Sequence, residues 1–318
     1  MTTPPNAMCE SPQGIESQRI PPEPIVTTRP LYWSIRREIW ENRSIYVAPL
    51  AAAGLGMLAF FINLLFLPRM MRGTSAHHGP MSGTAMLAMP YGHLAWLLLP
   101  TAFIVGVFYS LDALHGERRD RSILFWKSLP VSDLTAVLAK ASIPLVVLPL
   151  LVFGIAVFLQ LVMWQLSIAV LLISGTGAST FWTQLPLFQM ELVLLYGLIV
   201  LSLWHAPVYA WLLLVSAWAR RATFLWAVLP LLAIAAFERI AFRTFHFGSF
   251  LGDRLFGFAP KAFAFKTPDG VPVDPHFIPL TQLTPGKFLS TPGLWLGLIV
   301  AAVLLAAAVR LRRYREPI

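Results

Sequence analysis

The 318-residue sequence is short of charge. Only 12% of its residues are Asp, Glu, Lys or Arg, where a soluble domain carries about 25%. Such a chain lacks the polar surface to coat a globule in water, so a soluble domain is excluded. Cysteine is almost missing too. Cys9 alone, in a polar N-terminal stretch, excludes an intrachain disulfide framework and a Cys-based metal site. These residues hold no G-x-x-x-x-G-K-[ST] phosphate loop: Gly286-Lys287 is followed by Phe288 and lacks the rest. HExxH and GxSxG are absent as well, which removes the expected residues of an intramembrane hydrolase.

What the sequence has is apolar residues, 57% of the total, and a mean hydropathy of +0.68. A spanning helix needs about 20 mostly apolar residues. Six runs qualify: residues 45–68, 94–111, 142–164 (preceded by a helical stretch 134–141), 191–218, 223–237 and 294–309. The third is ambiguous, because apolar sequence continues to residue 173 as an extra turn or a short re-entrant piece. Pro144 and Pro149 are expected to kink it. Residues 1–28, rich in Pro, Ser, Thr and Glu, read as a disordered tail, and they lack the pattern of a cleaved signal peptide. Residues 29–318 then form one membrane domain.

The net charge of +9 does not point to nucleic acid, because the cations sit between apolar runs, where they set topology and meet anionic lipid. Arg36, Arg37 and Arg43 precede the first run. Arg118, Arg119, Arg121 and Lys127 separate the second from the third, and Arg220 and Arg221 the fourth from the fifth. Arg310, Arg312, Arg313 and Arg315 close the chain. With six spans all four groups share one side, which the positive-inside rule makes cytoplasmic, along with both termini. The opposite side has Arg69 and Arg72 in a first outer loop and a long last loop, 240–291.

Two segments carry more than topology. Residues 31–43 read LYWSIRREIWENR. On a helical wheel Leu31, Tyr32, Ile35, Ile39 and Trp40 share one face; Ser34, Arg37, Glu38 and Glu41 share the other; Trp33 and Trp40 fall together at one edge. This pattern predicts an amphipathic helix lying along the cytoplasmic membrane surface. Residues 115–133 read HGERRDRSILFWKSLPVSD. A mixed charge run, an apolar-aromatic run and Pro130 are followed by Ser132-Asp133, a good helix cap. The expected picture is a short helix whose apolar side rests on the interface and whose charged side faces the cytosol. Positive anchoring alone has no need of Glu117 and Asp120 among the arginines; mixed charge on a rigid helix is what a protein partner reads.

The run Gly116-Glu117-Arg118-Arg119-Asp120, followed by Ser122-Ile123-Leu124-Phe125-Trp126-Lys127-Ser128-Leu129-Pro130-Val131-Ser132-Asp133, resembles the cytoplasmic loop of ABC-2 type permeases. Residues 207–221, PVYAWLLLVSAWARR, and 224–230, FLWAVLP, resemble the same family. The resemblance implies an all-α membrane protein with six transmembrane helices preceded by a cytoplasmic amphipathic elbow helix. Trp33, Arg37 and Trp40 would belong to the elbow. Glu117, Arg118, Arg119, Asp120, Phe125, Trp126 and Lys127 would form the coupling segment. The implied activity is that of the permease subunit of an exporter in a bacterial cytoplasmic membrane, paired as a homodimer or heterodimer. ATP and Mg would sit on a separate ATP-binding subunit, with no cofactor and no catalytic residue on this chain.

Other residues leave alternatives open. His205 and Pro207 fall mid-way along the fourth run, either on a kinked helix lining a path or as a neutral histidine bonded to a neighbouring backbone. His77-His78 lacks a third ligand and is a weak metal signal. The phenylalanine-rich 240–291 loop reads either as an amphipathic cover on the outer leaflet or as a small folded cap on the helix ends, with Pro260 ending whatever helix precedes it. Two other function classes remain: a membrane enzyme binding haem through His93, His115 or His205, and a non-transporting assembly scaffold.

Overall fold

Each apolar run becomes one helix. A computed structural model describes residues 30–77, 80–120, 122, 131–175, 185–265 and 278–314, with the side chains of residues 68–87 outside that description. The chain begins with α1 (Pro30–Glu41), α2 (Ser44–His77), α3 (Pro80–Asp112) and the single turn α4 (His115–Arg119). Next come α5 (Asp133–Ser142), a π-helical segment (Ile143–Val147) and α6 (Leu148–Ile173), continuous in one rod. Then follow α7 (Leu187–Trp218), α8 (Thr223–Phe242), α9 (His246–Phe256), α10 (Ala259–Ala262), a 3-10 turn (Leu280–Gln282), α11 (Pro285–Leu289) and α12 (Pro292–Tyr314). Among the described residues there is no strand, and six helices are long and apolar enough to cross a membrane.

The expected spans differ mainly at their ends. The segment expected as a first outer loop is largely helical: α2 runs on to His77 and α3 begins at Pro80, so Arg69 and Arg72 lie on a helical extension. Pro90 and Pro100 sit inside α3 without breaking it. In the third run the helix passes unbroken through Gln165 to Ile173, so no re-entrant piece exists there. The strain that Pro144 imposes is taken up locally. Proline has no N–H to bond the carbonyl of Lys140. Ile143 N–H bonds that carbonyl instead, and the Leu148 N–H reaches back to the Ile143 carbonyl, which widens the turn.

α7 is the centre of the molecule. In its most apolar window 67% of residues are buried, against 6% for α8, which stands at the periphery. α12 packs along α7, and α2 packs on α3 and α6. Close approach of α3 to α7 depends on Gly106, where a Cβ would stand 2.9 Å from the Tyr209 ring. Trp211 Nε1 donates to the Ala227 carbonyl (3.1 Å), and the Trp218 and Trp226 rings meet edge to face at 4.8 Å, which ties α8 to α7.

The described part of the last loop is a folded cap, not a surface cover. Ala262, Phe263 and Phe288 are buried against Val200 and Trp204 of α7 and Leu294 of α12. Ala264 N–H donates to Gln282 O (2.9 Å) and Thr284 N–H to Ala262 O (3.0 Å), joining its two strips of chain. Pro260 opens α10 instead of ending a helix; α9 has already stopped at Phe256. Glu238 at the end of α8 accepts from His246 N–H (2.7 Å) and Phe247 N–H (2.8 Å), closing the α9 N-terminus. The Arg254 guanidinium lies 4.5 Å from the Trp204 ring centroid and donates to the Gly293 carbonyl at 3.1 Å. Partial burial pushes its pKa down from the usual arginine value.

Candidate functional site

Charged residues are few in this chain, and six of them converge at one end of the bundle. Glu38 of α1, Glu117 of α4, Lys140 of α5 and Arg312 of α12 are all buried. Lys140 Nζ lies 2.8 Å from Glu38 Oε1 and 3.2 Å from Glu117 Oε1. Arg37 Nη2 reaches the same Glu117 oxygen at 3.2 Å. Arg312 Nη2 stands 3.1 Å from Glu117 Oε2, within ion-pair range but off the hydrogen-bond line, and its Nε is 3.7 Å from Asp133. Tyr109 of α3 donates its hydroxyl to Glu38 Oε2 at 2.8 Å. Three carboxylates, Glu38, Glu117 and Asp133, thus meet three cations, Arg37, Lys140 and Arg312, and Arg37 pairs with Glu41 as well. A buried charge is tolerated when it is paired in this way.

The first helix turns Glu38 into the bundle together with Ile35 and Ile39. Leu31, Tyr32, Trp33 and Trp40 are exposed, whereas Glu38 is 3% exposed. The Arg36 guanidinium lies against both tryptophans, 5.3 Å from the Trp33 ring and 4.7 Å from the Trp40 ring. Arg37 sits between the two faces, bonded to Glu41 (2.8 Å) as well as to Glu117. Burial works to lower its pKa, but the bond to Glu41 and the charges of Glu38, Glu41 and Glu117 raise it above the ordinary arginine value.

α4 is fixed from below by the last turn of α7. Ser216 Oγ accepts from the Leu114 N–H (3.0 Å) and the His115 N–H (2.9 Å), supplying the cap that the turn lacks in its own sequence. Arg118 Nη1 donates to the Ala217 and Ala219 carbonyls (2.8 and 3.2 Å), which end α7. A cation at a helix C-terminus satisfies carbonyls that have no partner within the helix. His115 Nδ1 is 3.3 Å from the Ala219 carbonyl.

The charge run expected to face outward is therefore split. Glu117 and Arg118 are buried and held internally, whereas the Arg119 and Asp120 side chains are more than half exposed and paired to each other at 3.1 Å. Within one helical turn residues 117 and 118 fall on the side that meets the bundle and 119 and 120 on the side that faces away from it. Phe125, Trp126 and Lys127 lie outside the described residues, as does His78, together with the side chain of His77. Beyond that gap, Ser132 accepts from Thr135 N–H (3.1 Å) as the expected cap of α5.

No family model, no curated protein and no solved structure matches the chain. The site stands on its own geometry.

Away from the cluster, Pro207 lies inside α7. His205 is 1% exposed, with Nδ1 2.8 Å from the Leu201 carbonyl and Nε2 3.1 Å from the Leu255 carbonyl, so α7 and the cap meet through its ring. His205 also borders a cavity of about 420 Å3. Among the described residues no group of three His, Cys, Asp or Glu could hold a metal ion.

Sequence reasoning missed Glu38, Tyr109, Lys140 and Ser216 as parts of one site. Lys140 had a signal: it is a lone cation at the edge of a long apolar run, and ionisable residues in such places are held by a specific partner. The Ser216 signal is weaker, since a serine in a spanning helix ordinarily bonds within its own helix.

Proposed function

We propose that the chain is the membrane-spanning permease subunit of an ABC-type exporter, working with an ATP-binding subunit on a separate polypeptide. The observation that supports it is the mounting of α4. This single turn is locked to the end of α7, presents Arg119 and Asp120 outward, and turns Glu117 inward onto Arg37, Lys140 and Arg312. A surface contact on α4 therefore reaches α1, α5 and α12 through one carboxylate. That is the connectivity a docking segment needs if a partner's movement is to shift several spans at once.

In this reading α1 is the elbow helix at the cytoplasmic surface, with Trp33, Arg36 and Trp40 in the headgroup layer. Arg119 and Asp120, together with residues 123–127, touch the ATP-binding subunit; Glu117 and Arg118 position them. Both termini are cytoplasmic, the membrane is the bacterial inner membrane, and two permease chains work with two ATPases. ATP and Mg bind the partner. Closure of the partners pushes on α4, and the ion cluster passes the displacement to the spans, alternating access from inside to outside.

The test is a mild-detergent pull-down of the native assembly with an ATPase assay, comparing the wild-type chain with Arg119→Glu. Loss of an ATP-binding partner, or of substrate-stimulated hydrolysis, with unchanged thermal unfolding of the permease supports the docking role. Unchanged assembly and transport overturn it.

A further inference from the structure

The cavity beside His205 lies between α3, α6, α7 and the cap. At about 420 Å3 it falls within the size range of small-molecule sites, about 300–1,000 Å3, which are mostly apolar with a few placed polar groups. Its wall is aromatic and aliphatic, with Trp96, Phe103, Phe258 and Phe263 among its largest side chains. Trp96 is 47% and Phe256 79% exposed, so the mouth opens toward the surroundings of the spans instead of into the bundle. Apolar cavities of this kind do not hold water well and take up apolar molecules.

Two polar side chains, His205 and Gln160, stand out in the wall, and a neutral His205 ring donates to only one of the two carbonyls it faces. Both His205 ring nitrogens face carbonyls, and Phe103 and Phe258 flank the ring at 4.6 and 5.5 Å. Gln160, 1% exposed, points its Nε2 at the Tyr91 carbonyl (3.4 Å). That bond fixes the amide orientation, since only the nitrogen can donate. Gln160 Oε1 has no hydrogen-bond partner. The Tyr91 hydroxyl is paired elsewhere, with Ser167 Oγ at 3.2 Å. A buried acceptor without a donor is rare enough to require an explanation.

We propose that this cavity binds a lipophilic molecule carrying one hydrogen-bond donor, such as a long-chain alcohol. Its hydroxyl donates to Gln160 Oε1 once the amide turns to bring that buried oxygen to the cavity surface, and its chain runs out past Trp96 and Phe256. The proposal does not rest on the permease reading: it needs no ATP-binding partner, and its test contains none.

The full chain is reconstituted in nanodiscs and irradiated with dodecanol carrying a diazirine near the chain end. The labelled peptides are mapped by mass spectrometry. Labels are expected on α3, α7 and the cap, and free dodecanol should compete roughly fivefold to tenfold better than dodecyl methyl ether, the worth of one hydrogen bond. In Gln160→Leu the label should persist while the alcohol loses its advantage. Gly197→Phe, placed where a Cβ would stand 3.7 Å from the Phe263 ring, should fill the cavity and abolish labelling. Ala95→Phe, from the opposite wall, serves the same purpose if Gly197→Phe does not fold. Native mass spectrometry separates the two sources of such a ligand. A bound lipid mass displaced by dodecanol supports the bilayer as source; a bare chain that still takes the label supports a free lipophile. Labelling confined to α8 and α12, or an ether that competes as well as the alcohol, overturns the proposal.

Discussion

Lys140 and Glu38, 102 residues apart in sequence, meet at 2.8 Å with both side chains 3% exposed. One sits at the start of the third span and the other on a helix that precedes the first. Their contact holds α1 against the bundle, and Glu117, 3.2 Å from the same Lys140 nitrogen, brings α4 into the same arrangement.

Removing Lys140 takes from the buried Glu38 its ion-pair partner, while Glu117 keeps Arg37 and Arg312. Lys140→Met is expected to destabilise the chain by about 3–5 kcal/mol, because breaking a buried pair leaves charge uncompensated. Glu38→Gln in the same chain should restore part of the loss, giving a coupling of about 1 kcal/mol or more in a double-mutant cycle. Thermal unfolding in detergent measures both. Additive losses from the two substitutions would show that the pair is not energetically linked.

Ser216→Ala removes the only cap the α4 turn has in the described structure. A lost cap costs about 0.5–2 kcal/mol. The Leu114 and His115 amides should exchange their hydrogens several-fold faster, while amides in the middle of α7 keep their protection. Exchange unchanged at 114 and 115 would show that another group holds the turn.

Gly297 makes room for Arg254. A Cβ at position 297 would stand 1.9 Å from Arg254 Nη2, too close for any side chain. Gly297→Ala is expected to displace the guanidinium from the Trp204 ring and the Gly293 carbonyl, at a cost of about 1–3 kcal/mol for the overpacking. Arg254→Ala in the same chain should relieve the clash, so the double variant unfolds at a higher temperature than the sum of the two losses implies. A melting temperature of Gly297→Ala equal to wild type would rule out the tight fit.

The exposed face of α1 should register in bilayer depth. Trp33 and Trp40 flank Arg36, an arrangement that suits the headgroup zone. Phospholipids brominated near the glycerol are expected to quench tryptophan emission more in the wild-type chain than in Trp33→Phe/Trp40→Phe. Lipids brominated at the chain ends should quench both alike. Equal quenching by the shallow lipids would remove α1 from the interface.

Much of the frame was legible in the residues. Six apolar runs gave six helices, because length and composition suffice where hydrocarbon is the solvent. Ser132 was legible as a cap because the rule is local. The segregated faces of residues 31–43 were legible as well. What the wheel does not carry is which face meets protein. The apolar face is divided, with Ile35 and Ile39 on the core and Leu31, Tyr32 and Trp40 exposed, and Glu38 of the polar face is turned inward to Lys140. The buried cluster joins residues from five helices, and periodicity within one segment contains no term for pairing between segments. Glu117 and Arg118 looked like surface charge for the same reason: their partners, Lys140, Arg312 and the end of α7, lie far along the chain. Pro260 misled because a proline suits the first turn of a helix as well as its end.

The widened turn at Ile143–Val147 sets the phase of the rod that contains it. Lys140 and Leu148 are both buried, eight residues apart. At about 100° per residue an uninterrupted α-helix would leave them roughly 80° out of line. The wider turn reduces that angle, and the one rod places Lys140 in an ionic layer and Leu148, Val152 and Ala156 in a hydrocarbon core. Shortening residues 143–147 by one would restore a regular helix and misalign the two halves: either Lys140 would swing away from its carboxylates, or Val152, Ala156 and Gln160 would rotate out toward lipid. The irregularity works as a splice between two registers.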